Sequence, residues 1–144
     1  MGQYHYIVNI TKKQYIHPHQ IGSGLKIVEQ IGWEKSPSTA LFLLLACSNG
    51  RGGGDVNSHP LVGRWAGDQI AVIGDYSTSY DIPGHNAASI YEKIVGKSDP
   101  LIDMADGVVW ENISSSVRDM MSSAVGARYS FTECPDAQII TVIN

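Results

Sequence analysis

Four glycines fall within five positions of NGRGGGD, residues 49–55, three of them between an arginine and an aspartate. Successive glycines can turn several backbone N–H groups into one concavity, and Arg51 supplies a cation for a phosphate or carboxylate. Gly52, Gly53, Gly54 and Asp55 complete the stretch. It is neither a P-loop, since it has no lysine and follows a helix, nor a dinucleotide fingerprint, since GxGxxG spacing is absent. A pliable connector is the alternative reading, because glycine clusters commonly punctuate structure.

A second group of chemically able side chains follows in DVNSHPLVGRWAGDQIAVIGDY: His59, Arg64, Trp65, Asp75 and Tyr76 bracket an apolar strand. Loops converge beyond strand ends, where backbone groups lack ladder partners, so a ligand could sit there against the rings and Arg51. The plainer alternative makes Asp75 a turn residue after Gly74 and Trp65 a core residue. Acid–base chemistry by His59 with Asp55 or Asp75 needs only reach and a pKa near neutrality. No serine sits in GxSxG, and Cys47 ends the apolar run LFLLLAC, which suits a buried thiol better than a nucleophile.

His17 and His19 flank Pro18, and on an extended segment both imidazoles would face one way, with His5 on the neighbouring strand. No cysteine pair or HExxH helix completes a ligand set, so neither a metal nor a cofactor is expected.

These residues must be positioned by a chain of 144 residues with 43% hydrophobic and 17% charged content. That length suits one domain with one core, burying about 70% of its unfolded surface. A net charge of −4, with no basic run longer than Lys12-Lys13, argues against double-stranded nucleic acid as partner. A small anionic or nucleotide-like ligand needs only one or two cations. The low charge favours self-association into a homo-oligomer. The longest apolar run, residues 40–47, is far short of the ~20 residues that span a bilayer, and MGQYHYIVNI does not have the pattern of a signal peptide. A cytoplasmic setting without a membrane partner is expected.

Gln3 to Ile10 reads as a strand, Thr11-Lys12-Lys13 as a turn, and Gln14 to His17 as the returning strand of a hairpin. Leu25, Ile27, Val28 and Ile31 have helical spacing, with Ser23 as N-cap and Gly32 as stop. Ser36-Pro37 introduces a helix through Cys47 that is apolar almost all round, the mark of a buried helix. QIAVIGDY, residues 69–76, reads as an interior strand covered on both faces. Ala87 to Val95 is a helix closed by Gly96. Residues 100–126 hold a helical pattern divided at Gly107, and residues 128–133 and 137–143 give two last strands. The expectation is a single α+β domain, its mixed or mostly antiparallel sheet packed with about four helices. In that sheet both chain ends contribute strands and QIAVIGDY lies inside.

The segments MGQYHYIVNI, GLKIVEQ and WAGDQIAVIGDY resemble a loose set of phage and bacterial proteins of unassigned function, which open MGQYY and carry a W-x-GDY-like strand. The likeness covers residues 1–31 and 60–76, and departs at Glu29-Gln30, where the set often has histidine. The resemblance implies a phage or prophage setting, in a host-cell cytoplasm, and an anti-defence role: a non-catalytic protein that encloses a nucleotide-derived signal. A small hydrolase using His59 and Asp75, or a protein-binding inhibitor, are the alternatives.

Overall fold

The computed structural model describes residues 3–32, 36–47, 57–96 and 108–124, together with the backbone of two short strands at 129–131 and 140–142. Strands β1 (His5–Asn9) and β2 (Gln14–Ile16) form the expected hairpin, with Asn9 opposite Gln14. Asn9, fully buried, holds the turn: its side-chain oxygen accepts the Lys12 N–H at 2.8 Å. Its amide donates to Asp68 at 2.8 Å, so neither end of the buried side chain is left unpaired. Lys13 takes a left-handed φ of 56° as the chain re-enters β2.

The hairpin is the middle of a mixed four-stranded sheet, ordered β3-β1-β2-β4. Strand β3 (Ile70–Gly74) pairs antiparallel with β1, and the two-residue β4 (Glu111–Asn112) pairs parallel with β2. QIAVIGDY is thus an edge strand of this sheet, and Val72 at its centre is 42% exposed. The strand covered on both faces is β1. Its side chains alternate, so Tyr6, Val8 and Ile10 enter one core cluster while Ile7 enters the other.

On the Ile7 face pack α2 (Pro37–Leu45) and α4 (Ser114–Ala124), through Leu43, Leu44, Val117 and Met120. On the Tyr6 face packs α3 (Ala87–Val95), through Ala87, Ile90 and Ile94. Each fully buried aliphatic side chain is worth roughly 1.5–3 kcal/mol, so these two clusters hold the layers together. Helix α3 begins as sequence chemistry dictates: the Asn86 side chain accepts the Ser89 N–H at 3.0 Å, and Gly96 follows its last turn.

Helix α1 (Ile27–Gly32) ends at the expected glycine, but Ser23 does not cap it. The Lys26 N–H is instead met by the Glu29 carboxylate at 3.1 Å, three residues into the turn. Buried Gln30 fastens α1 to the sheet, donating to the carbonyls of His5 at 2.9 Å and Leu25 at 2.8 Å. Helix α2 starts at Ser36-Pro37 as expected, yet it is not enclosed: Phe42 is 80% exposed, and Cys47 beyond its end is exposed as well. The last strands, β5 (Tyr129–Phe131) and β6 (Ile140–Val142), pair antiparallel as a separate ribbon and do not join the four-stranded sheet. The architecture is α+β with a mixed sheet. Among the described residues, no helix is long and apolar enough to cross a membrane.

Candidate functional site

Residues 51–55, which carry Arg51, the three glycines Gly52, Gly53 and Gly54, and Asp55, lie outside the described residues. The other expected ligand-binding side chains do not form one group. Trp65 is fully buried in the α2–α4 cluster, its indole N–H donating to the Gln14 side chain at 2.9 Å. It is a core residue and has no open face for stacking. The turn bearing it is fastened to α2, because the Gly63 and Trp65 N–H groups each donate at 2.9 Å to the Leu43 and Leu44 carbonyls. Those carbonyls belong to the last helical turn, where the Leu43 carbonyl also accepts the capping Ala46 N–H at 3.4 Å. Arg64 beside it is exposed.

Asp75 and Tyr76 stand past the opposite end of β3, five strand residues away from the Trp65 turn. Asp75 exchanges backbone-level bonds with Tyr4: its carboxylate accepts the Tyr4 N–H at 3.0 Å, and its own N–H donates to the Tyr4 carbonyl at 3.2 Å. Tyr76 is 61% exposed. His59 is paired with Asp119 of α4 at 3.0 Å and not with Asp75, while Asp55, its other expected partner, lies outside the described residues.

The histidines are also divided. Register places Tyr6 opposite His17, so His5, one residue earlier on β1, points to the other face of the sheet. Pro18 begins a 3-10 turn, Pro18–Ile21, instead of continuing an extended arm, and the rings of His17 and His19 lie 5.6 Å apart. His17 sits edge-on to Tyr6 at 4.9 Å, and Tyr6 in turn meets Tyr91 of α3 at 5.8 Å. Burial lowers the His17 pKa below the usual 6.5, and the neighbouring charge of His19 adds to this. Burial also raises the phenols of Tyr6 and Tyr91, the second with help from the negative charge of Asp75. Among the described residues, no three histidine, cysteine, aspartate or glutamate side chains converge as a metal set.

A cavity that no sequence motif marks lies on the α3 face, at the turn end of the hairpin. It has a volume of about 200 Å³ and is lined by Lys13, His85, Asn86, Ser89, Ile90, Lys93, Val108 and Trp110. Two lysines thus line one hollow that runs along α3 from its N-cap, Asn86, to Lys93 in its last turn. The two lysines of the hairpin turn divide their work. Lys12 forms an ion pair with Asp68, which holds that carboxyl below the usual range, with help from Asn9. Lys13 goes to the cavity instead. One of its protons is donated to the Ile10 carbonyl at 2.8 Å, and its ammonium lies 5.5 Å from the Trp110 ring centre.

Lys93 is only 7% exposed, and follows the core position Ile90 by three residues on α3. A lysine within an apolar helical stripe was the one signal of this site visible in the sequence. The other wall is Trp110, 97 positions from Lys13 in the chain, and no local pattern links the two. The hollow therefore offers cationic donors, the Ser89 hydroxyl and an apolar side made by Ile90, Val108 and Trp110. Such a lining can hold an anionic group through charge-assisted hydrogen bonds while covering a small apolar body.

No family model matches the chain, and no curated protein or solved structure shows detectable similarity to it.

Proposed function

We propose that the protein is a non-catalytic binder of a small anionic molecule, held with its phosphate or carboxylate between Lys13 of the hairpin turn and Lys93 of α3. The observation that carries this reading is the pair of lysines lining one cavity in a chain whose net charge is −4. A net charge of −4 disfavours anions in general, so two ammonium groups lining one hollow, Lys13 from the hairpin turn and Lys93 from the last turn of α3, make a local exception. The hollow is open to solvent, and its volume of about 200 Å³ limits the part of a ligand it can hold to a head-group and a small body, below the roughly 300–1,000 Å³ typical of drug-sized ligands. In a nucleotide-like ligand, the phosphate and sugar would be enclosed and the base would extend outward. The resemblance of residues 1–31 and 60–76 to phage and bacterial proteins supports the further reading that binding sequesters a host-defence signal.

Calorimetric titration with inorganic phosphate, pyrophosphate and adenosine monophosphate tests the proposal. At least one should bind one-to-one and be recovered unaltered after heat denaturation, and Lys13→Gln should weaken it at least tenfold, about 1.4 kcal/mol, with an unchanged circular dichroism spectrum. Absence of binding at millimolar anion, affinity indifferent to Lys13→Gln, or a chemically altered ligand would each overturn it.

A further inference from the structure

Helices α1 and α2 leave a row of large apolar side chains in water. Val28 is 69% exposed, Ile31 67% and Phe42 80%, with Ile27 and Leu45 more than a third exposed. The two helices meet at one point of it. Ile27, Val28 and Ile31 share one side of α1, and the Ile31 carbonyl accepts from the Ser38 hydroxyl at 3.4 Å on the first turn of α2. Ser38, Phe42 and Leu45 then follow at i, i+4 and i+7 along that same side of α2. Helix α2 contains no charged residue, whereas a helix that keeps one side in water normally displays charges there.

We infer that this α1–α2 face is the contact surface of a two-fold homodimer. An isologous interface sets each patch against its own copy, so charges of one sign would meet their like, and the uncharged surface of α2 avoids that repulsion. Size agrees. A large aromatic side chain carries roughly 150–250 Å², and the five partly exposed groups together offer roughly 500 Å² per copy. Pairing them removes about 1,000 Å² from water before any rim is counted, the threshold for a specific interface. A monomer rarely displays an apolar patch larger than a few hundred Å². The inference is independent of the anion cavity, which is built by α3 and the hairpin turn.

Sedimentation equilibrium of the wild-type chain should give twice the 15.6 kDa subunit mass. Phe42→Asp and Val28→Asp, both at exposed positions, should each shift the species to the monomer while preserving helical circular dichroism. Amide hydrogen exchange of the wild type should slow in residues 27–32 and 37–45 as concentration rises, a readout that needs no variant to fold. A monomer at every loading concentration, a dimer that survives both substitutions, or exchange in these helices independent of concentration overturns the inference.

Discussion

The imidazole of His59 is occupied at both nitrogens: Nε2 lies 3.0 Å from an Asp119 carboxylate oxygen, and Nδ1 accepts the Leu61 N–H at 3.1 Å. An acceptor at Nδ1 requires the neutral ring to carry its proton on Nε2, where it donates to Asp119. The ring therefore ties the segment after residue 57 to α4, and Asn57 reinforces that tie by donating its N–H to the Ala124 carbonyl at 3.0 Å. Nitrogen-15 chemical shifts above pH 7.5 should show His59 as the Nε2–H tautomer. Because Asp119 is 76% exposed, Asp119→Ala should cost less than about 1 kcal/mol in urea unfolding. An Nδ1–H tautomer would contradict the arrangement.

The hairpin, α2's Ser36-Pro37 start and the close of α3 at Gly96 were legible because each depends on residues adjacent in the chain. Sheet order was not. QIAVIGDY is more continuously apolar than HYIVN, but β1 holds the place between β3 and β2, and its polar Asn9 is buried only because Lys12 and Asp68 meet its side chain. Hydrophobicity along one strand carries no information about which neighbours will flank it. Likewise, the apolar composition of α2 predicts burial of the whole helix, and the structure buries Ala40, Leu43 and Leu44 while exposing Phe42. Trp65 illustrates the limit for sites. Its type suited ligand stacking equally well, and packing among residues distant in the chain, with its indole bonded to Gln14, 51 positions away, makes it core.

His17 should make stability fall on mild acidification. Its folded pKa lies below 6.5, first because burial disfavours the charged ring and second because of His19, with a backbone hydrogen bond opposing them. The unfolded chain therefore binds the proton more readily than the folded one. Stability is fully retained above pH 6.5, declines as pH drops from there toward the folded value, and levels off below it. Urea midpoints at pH 8 and pH 5 should differ more for the wild type than for His17→Leu. The other histidines are common to both proteins and cancel in the comparison, so equal differences would remove His17 as a cause.

Gly63 and Gly67 allow the turn that docks on α2 to be tested with an internal control. Both have left-handed backbones, φ 82° and 84°, so an alanine at either pays the same conformational cost of about 1–2 kcal/mol. Their surroundings differ. A Cβ at Gly67 would meet nothing within 4 Å, whereas at Gly63 it would lie 2.8 Å from the Ala46 carbonyl oxygen, a backbone atom that cannot rotate away. Relief there would mean lifting the turn and stretching the hydrogen bonds from Gly63 and Trp65 to the end of α2. Gly63→Ala should therefore be less stable than Gly67→Ala by about a further 1–3 kcal/mol in chemical unfolding. It should also shift the Trp65 environment, seen as a change in near-ultraviolet circular dichroism that Gly67→Ala does not produce. Equal losses of stability in the two variants would mean that the turn does not press against α2 at Gly63.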